Sequence, residues 1–224
     1  SDLVAPPAGP AIMTKCCHGE ALLPAERFEE TVAAEVDASL DALGLECVDI
    51  LGLHRDNPAV PVERIMDRMH VEVAEGRAGA LAASNWPYDR IEAANAYAES
   101  QGLAPFSVIS NNLSLAVPTE PFFPNLVSVD DRGQAWHQRS GVPLVPWSAL
   151  ARGFFTGRWT PDRRASSGGN ESSFDERMLT VYATEANYER FKRARQLGEA
   201  RGGYTAVEVA LAWLLARPFK VLPI

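Results

Sequence analysis

Short apolar runs alternate along the chain with longer segments in which apolar residues recur every three or four positions. The first pattern is typical of buried β-strands and the second of amphipathic helices. Strands are predicted at 11–17, 44–58, 78–85, 106–115, 144–148 and 221–224, and helices at 24–43, 61–76, 88–101, 128–141, 188–200 and 205–217. This alternation predicts an α/β fold of parallel βαβ units, which coil toward a barrel or an open doubly wound sheet.

Local signals set the helix faces and ends. The helix at 24–43 ends at Gly44 and is predicted to bury Phe28, Val32, Val36 and Leu40. The helix at 61–76 is predicted to bury Ile65, Met69 and Val73. Capping boxes are predicted at Ser128–Asp131, with Asp in place of Glu, and at Thr205–Glu208. Residues 158–183 are predicted to be a long polar loop, a length that is usually functional or disordered.

The strand within residues 44–58 carries a histidine at its carboxyl end. Period-two alternation places Val48, Ile50, Gly52 and His54 on one face, so His54 is predicted to be the last inward residue. Barrel enzymes keep their chemistry at this end of their strands. The alternative is a strand-end histidine whose hydrogen bonds are satisfied and which has no catalytic role.

Polar or aromatic residues also end the other predicted strands. They are Lys15, Ser84 with Asn85, Asn112, and Trp147 with Ser148. Because parallel strands share one direction, these residues are expected to meet at one rim of the sheet. Each also has a plain structural interpretation: Lys15 as a strand-end lysine reaching solvent, Asn112 as a buried amide satisfied by a neighbouring strand, and Trp147 as part of the core.

Composition narrows the function classes. The chain has 224 residues, 46% of them hydrophobic, which is enough for one sizeable core. A net charge of -8 argues against nucleic acid or an anionic membrane as a partner, because both favour basic patches. No apolar run approaches the ~20 residues of a membrane span and no leader is recognisable, so a soluble cytoplasmic protein is expected.

The cysteines and histidines do not suggest a metal site. All three cysteines, Cys16, Cys17 and Cys47, lie in predicted strands and are interpreted as buried free thiols in a reducing compartment. The remaining histidines, His18, His70 and His137, are scattered over a strand exit and two helices, without zinc-ligand spacing.

Several motifs together resemble the aldo-keto reductase family in order and spacing. They are Thr14-Lys15, Asp49-Ile-Leu-Gly-Leu-His54, Ala83-Ser-Asn-Trp86 and Pro146-Trp-Ser-Ala-Leu-Ala-Arg-Gly153. The stretches Ser114-Leu-Ala-Val-Pro118 and Ala151-Arg-Gly-Phe-Phe-Thr-Gly157 look like a bacterial branch that includes reductase domains fused to a sugar-type dehydrogenase. The resemblance covers nearly the whole chain. It implies a (β/α)8 TIM barrel of aldo-keto reductase type, of which residues 1–224 form a single, incomplete domain with about six βα units.

The resemblance also implies an NADPH-dependent oxidoreductase that reduces an aldehyde, ketone or sugar. Of the family's catalytic Asp, Tyr, Lys and His, it assigns the last two to Lys15 and His54. A lysine cation lowers the pKa of a nearby phenol, and a neutral histidine can polarise a carbonyl oxygen. It assigns cofactor contacts to Ser84 and Asn85 at the carboxamide, Asn112 in place of the family's Gln, Trp147 on the nicotinamide ring, and Ser148, Leu150, Arg152 and Gly153 along the pyrophosphate.

The chain departs from the family pattern at both ends. No tyrosine precedes Tyr88, so the strand and helix that carry the catalytic Asp and Tyr are absent, and the sequence stops at Ile224, before the adenosine-phosphate loop. The interpretation favoured here is a longer protein whose ends lie outside this numbering, and this chain by itself is expected to be inactive. There are two alternatives. A fused domain, a homo-oligomer or a partner chain could complete the barrel, or the chain could be a degenerate barrel without chemistry.

The sequence leaves two other function classes open. Lys15 could form a Schiff base in a barrel aldolase, although Ser84, Asn85 and Trp147 would then have no role. The chain could instead be a non-catalytic nucleotide-binding or scaffold module. The sequence does not identify the substrate, the preference between NADPH and NADH, or the oligomeric state.

Overall fold

The structure is a computed structural model that describes residues 9–18, 25–159 and 173–224. Residues 160–172 of the predicted long loop, and the predicted first residue of the helix at 24–43, lie outside these ranges. The chain divides into two compact units, Ser1–Val108 and Ile109–Ile224. No helix among the described residues is long and apolar enough to cross a membrane.

The first unit is built of βα repeats. Its elements are β1 (Met13–Cys16), a 3-10 turn (Ala25–Arg27), α1 (Phe28–Leu43), β2 (Val48–Leu53), α2 (Val62–Ala74), β3 (Ala78–Ala83), α3 (Tyr88–Gln101) and β4 (Phe106–Ile109), which crosses into the second unit. The sheet order is β1-β2-β3-β4, and β1, β2 and β3 pair in parallel. The predicted parallel α/β architecture is therefore confirmed.

Local periodicity accounts for α1 and α3. The four apolar residues predicted for the buried face of α1 are all buried, and Gly44 ends the helix in the left-handed conformation, with φ 66. The bounds of α3 match the prediction, and Gly102 ends it in the same way, with φ 68. Left-handed backbone at a helix end satisfies the last carbonyls and suits glycine best.

Two predictions about the first unit were wrong. In α2 the last buried position is Glu72 rather than Val73, which is only half-buried. The Glu72 carboxylate is fully buried and pairs with Arg68 Nη2 at 2.5 Å and Arg77 Nη2 at 2.7 Å, which compensates its loss of solvation. Cys47 precedes β2 and is exposed, because the strand begins only at Val48.

The described residues of the second unit, 109–159 and 173–224, include four helices and isolated strand bridges. The helices are α4 (Asp131–Ser140), α5 (Ser173–Tyr182), α6 (Glu185–Ala200) and α7 (Ala206–Leu215), with a 3-10 segment at Ala151–Thr156. Parallel bridges join Ile109 to Leu144, Leu144 to Val221, and Asn112 to Ser128. The strand predicted at 144–148 is thus reduced to two bridges at Leu144, and the strand predicted at 221–224 to one bridge at Val221. Helix α5 lies where a loop was predicted.

The end of β4 and the cap of α4 both differ from the prediction. The strand predicted at 106–115 stops at Ile109, and the buried Ser110, Asn111 and Asn112 follow it. The α4 cap is Asp130, whose carboxylate accepts the backbone N–H of Gly133 at 2.8 Å, so the prediction of Ser128 as the cap was wrong. The capping box predicted at Thr205–Glu208 is confirmed, with both hydrogen bonds present.

Candidate active site

Lys15 lies one residue before the end of β1 and faces a glycine. The register pairs Lys15 with Gly52 of β2, and a Cβ built on Gly52 would stand 3.2 Å from Lys15 Cγ. The missing side chain of Gly52 therefore provides the space that the lysine stem occupies. Burial lowers the pKa of the Lys15 ammonium from its usual value, because the charged form loses solvation.

His54 directly follows β2, and its backbone is held from two sides. Its N–H donates to the carbonyl of Cys16 at 2.8 Å, and its carbonyl accepts the Asn85 side-chain amide at 3.0 Å. The residue is therefore anchored to the carboxyl ends of both neighbouring strands. The strand-end position predicted from alternation is where the structure places it.

The His54 imidazole is half-buried, with Lys15, His18 and Arg55 nearby. Its ring centroid lies 4.4 Å from that of His18, with the planes tilted by 52°. Burial first, and then the charges of Lys15, His18 and Arg55, lower the pKa of His54 to about 4. At neutral pH the ring is therefore uncharged, with one nitrogen able to donate a hydrogen bond and the other able to accept one.

Ser84 and Asn85 follow β3 at the same edge of the sheet. The N–H of Ser84 donates to the Leu53 carbonyl at 2.8 Å, and Asn85 adopts a left-handed backbone with φ 58. The Asn85 amide also donates to the Ser84 hydroxyl at 3.2 Å. Both side chains are buried, at 0% and 3% exposure. The first unit thus brings four predicted site residues to one edge, and the role of this pair at a carboxamide stays a prediction.

His18 and the turn that carries it were not predicted to be part of the site. Cys17 has a left-handed backbone, with φ 62, and its N–H donates to Glu35 Oε2 at 2.6 Å. Nothing in the local sequence marks this turn, because Cys17 is neither Gly, Asn nor Asp.

In the second unit, Asn112 is satisfied by its neighbours. Its amide donates to the Trp147 carbonyl at 2.9 Å, and its side-chain oxygen accepts the Ser128 hydroxyl at 3.2 Å. The structure therefore displays the buried-amide arrangement considered for Asn112. The residue also lines a cavity of about 620 Å³ beside α4.

Arg152 lies in an aromatic setting. Its guanidinium is 4.3 Å from the ring centroid of Phe122, 5.5 Å from that of Phe123 and 5.8 Å from that of Trp147. Its Nε is buried and has no hydrogen-bond partner among the residues that the structure describes. Burial lowers the pKa of this group, although the neighbouring Tyr182 opposes the shift.

The segment 148–153 has an unusual backbone. Ser148, Ala151, Arg152 and Gly153 are left-handed, with φ of 51, 49, 52 and 87. Non-glycine residues hold this conformation only where the surroundings fix it, as they commonly do at ligand sites. The segment lines a cavity of about 270 Å³ together with Leu211, Pro223 and Ile224. The second unit therefore brings the predicted pyrophosphate residues Ser148, Leu150, Arg152 and Gly153 to one cavity.

Across residues 9–18, 25–159 and 173–224, no three metal-ligating side chains come together. The chemistry available at these positions is that of amines, imidazoles, amides and backbone groups. A lysine and a neutral histidine at adjacent strand ends can polarise a carbonyl group, and a loop with a cation can hold a phosphate.

The comparison with protein families agrees with the strand-end motifs. Residues 5–224 match the model of the aldo/keto reductase family. This chain belongs to the aldo/keto reductase family. The resemblance identified from the motifs is therefore confirmed over nearly the whole sequence.

Individual members of the family give the same result. The chain is 28% identical over 186 residues to aldo-keto reductase dtxS3 of Metarhizium robertsii, which covers 81% of this chain and 46% of that protein. It is 26% identical over 185 residues to versiconal hemiacetal acetate reductase of Aspergillus parasiticus, covering 82% and 50%. The chain spans about half the length of these curated relatives.

A solved structure supports the fold. Glycerol dehydrogenase AKR11B4 of Gluconobacter oxydans superposes with a TM-score of 0.65 at 19% identity, covering 88% of this chain and 55% of that one. At this identity the similarity establishes the fold, which is the TIM-barrel type of the aldo/keto reductases. The described residues contain a four-stranded sheet, in which β1, β2 and β3 pair in parallel, and three isolated parallel bridges.

Proposed function

We propose that this chain is part of an NADPH-dependent oxidoreductase that reduces the carbonyl group of an aldehyde, ketone or sugar. Hydride addition to the carbonyl carbon breaks the carbon–oxygen π bond, and a proton on the oxygen completes the alcohol. The observation that carries the proposal is the pairing of Lys15 and His54 at adjacent strand ends, beside Gly52, in a member of this family.

In this proposal His54 donates a hydrogen bond to the substrate's carbonyl oxygen. A neutral imidazole can donate a hydrogen bond from its N–H without carrying the extra proton of the imidazolium form. The pKa of His54, lowered to about 4, keeps the ring neutral. Removing one hydrogen bond aimed at a developing oxyanion costs ~3–4 kcal/mol in acyl-transfer enzymes, which sets the scale expected for such a donor. The backbone bonds of His54 to both neighbouring strands support such a fixed position.

The proton donor in this proposal is a tyrosine outside the 224 residues, with Lys15 as the cation beside its phenol. The buried Tyr182 does not suit the role, because burial raises the pKa of its phenol to about 12. A usable donor needs a pKa moved toward the working pH. In this proposal the catalytic Asp of the family is likewise supplied from outside the 224 residues.

The residues present fit a dinucleotide phosphate in the second unit. The left-handed segment 148–153, its cavity and the buried Arg152 Nε suit an anion, since a guanidinium and backbone amides are its usual partners. When bound, NADPH would supply the hydride. Ser148, Leu150, Arg152 and Gly153 would hold the pyrophosphate, and Trp147 and Asn112 would lie along the nicotinamide, with Ser84 and Asn85 assigned to its carboxamide.

The experiment uses the natural protein that contains this chain, with a panel of aldehydes, ketones and sugars. NADPH oxidation that depends on a carbonyl substrate, and that falls at least ~100-fold in His54→Ala and in Lys15→Met, is the expected result. His70→Gln is the control, because His70 lies on α2 and accepts the Ala104 N–H, outside the proposed site.

Two other outcomes would overturn the proposal. Borohydride trapping of a carbonyl compound on Lys15 without NADPH turnover would assign a Schiff-base aldolase, which the lowered pKa of the Lys15 amine also suits. NADPH binding without turnover, unchanged in His54→Ala, would assign a nucleotide-binding module.

A further inference from the structure

His18 has no role in the proposed reaction, yet its ring contacts the ring of His54. It is the second residue after β1, and its ring centroid is 4.4 Å from that of His54. At that separation two five-membered rings are in van der Waals contact across their tilted faces. The contact therefore restricts how the His54 ring can turn.

The rest of His54 is already fixed. Its backbone N–H is bonded to Cys16 on the β1 side, and its carbonyl is bonded to Asn85 on the β3 side. Only the two side-chain torsions of His54 remain to be set, and they decide which ring atom faces a substrate. The ring contact with His18 acts on this remaining freedom.

A strained turn delivers His18 to that position. The left-handed backbone of Cys17, with φ 62, changes the direction of the chain straight after β1. A non-glycine residue in this conformation costs ~1–3 kcal/mol and persists only when neighbours hold it. Here the Cys17 N–H donates to Glu35 Oε2 of α1 at 2.6 Å, which ties the turn to the helix.

Three nearby residues act with burial to lower the pKa of His54. They are Lys15 on β1, His18 in the turn that follows, and Arg55 in its own segment. From β3, Ser84 and Asn85 contribute only neutral groups. The ring of His18 also packs against the imidazole.

We propose that His18 is a positioning residue for His54, whose ring fixes the orientation of the His54 imidazole and thus of the N–H that it offers to a carbonyl oxygen. The catalytic consequence rests on the proposed function. The positioning itself does not, because ring orientation and titration can be measured without turnover.

The test is NMR of the natural protein labelled with 13C at the histidine Cε1 position. His54→Ala assigns the His54 signal, and its pKa and line width are then followed in His18→Ala. We expect the pKa of His54 to move up toward its ordinary value and its signal to show exchange between ring orientations. His18→Phe should keep the ring contact, and therefore the single orientation, while still raising the pKa of His54.

His70→Gln serves as the matched control, since it removes a histidine of the first unit that does not contact His54. It should leave the His54 signal unchanged. An identical titration and line shape of His54 in His18→Ala and in the parent protein would overturn the positioning role. This holds whether or not the protein reduces carbonyls, so the two proposals can fail separately.

If both proposals hold, His18→Ala also lowers kcat by roughly 10- to 100-fold, because misplacing a reacting group by about 1 Å costs up to ~100-fold. The KM for NADPH should stay within about twofold, and His18→Phe should recover most of the kcat. A parallel loss of NADPH binding in His18→Ala would instead indicate general disruption of the first unit and would overturn the positioning role.

Discussion

Gly52→Ala separates the catalytic importance of Lys15 from the stability of the sheet. The new methyl group would lie 3.2 Å from Lys15 Cγ, 3.4 Å from Met13 Cε and 3.5 Å from Ala82 Cβ. Carbon atoms in contact prefer ~3.5–4.0 Å, so the lysine stem must shift by about half an ångström. Because Lys15 is a flexible side chain, it can make that shift without moving the backbone.

The expected stability change is small. Crowding a packed interior costs ~1–3 kcal/mol, whereas alanine in place of a strand glycine gains ~0.5–1 kcal/mol. The crowded atom belongs to a flexible side chain, so the cost lies at the low end and the net loss is about 1 kcal/mol or less. The expected effect on catalysis is a fall in kcat of about tenfold or more, because the amine at the end of the Lys15 side chain moves with the stem. Both quantities are measured on the natural protein, by urea unfolding and by NADPH oxidation with a carbonyl substrate.

Gly79→Ala is the matched control in the next strand. Its methyl group would lie 3.0 Å from the backbone carbonyl oxygen of Asp49, which cannot rotate away. We expect this variant to lose ~1–3 kcal/mol of stability with kcat nearly unchanged, the reverse of Gly52→Ala. If Gly52→Ala kept full kcat while losing as much stability as Gly79→Ala, Gly52 would be a packing residue and the reasoning about Lys15 would be refuted.

Three further predictions concern stability. Glu72→Gln leaves Arg68 and Arg77 without their buried counter-charge and should cost ~3–5 kcal/mol in urea unfolding; a change below ~1 kcal/mol would show that the network is solvated. The pKa of His54 is about 4 in the folded protein and lies below the ordinary 6.5, so on acidification the unfolded chain binds this proton first. The contribution of neutral His54 to the free energy of unfolding is therefore complete above about pH 6.5 and is lost toward pH 4. His54→Ala should therefore flatten the rise of stability with pH in that window, and an unchanged slope would contradict the assignment. Thr205→Ala removes the hydroxyl of the α7 capping box and should cost ~1 kcal/mol, whereas Thr205→Ser should cost little; equal losses would exclude the cap as the cause.

The local elements could be read from the sequence because their causes lie within a few residues. The buried face of α1 repeats every four positions, and a glycine follows the last turns of α1 and α3. The same holds for the capping box at Thr205, where both partners lie within three residues. The strand-end positions of Lys15 and His54 followed from alternation in the same way.

The cap of α4 and the burial of Glu72 were not predicted, because both depend on which side chains meet in the folded protein. Ser128 had the spacing of a cap, but its hydroxyl bonds Asn112, sixteen residues away, and Asp130 caps α4 instead. Glu72 has nearby partners in the sequence, Arg68 and Arg77, but only the fold shows that its carboxylate is buried between them.

The sequence by itself determined the family, the alternation of strands and helices in the first unit, and the residues at the ends of its strands. Only the tertiary structure decided what surrounds those residues: the space at Gly52 that admits Lys15, and the turn at Cys17 that brings His18 onto His54. The physical reason is range. Helix periodicity and caps act over three or four residues, whereas burial, charge and ring contact depend on segments that meet only when the chain has folded.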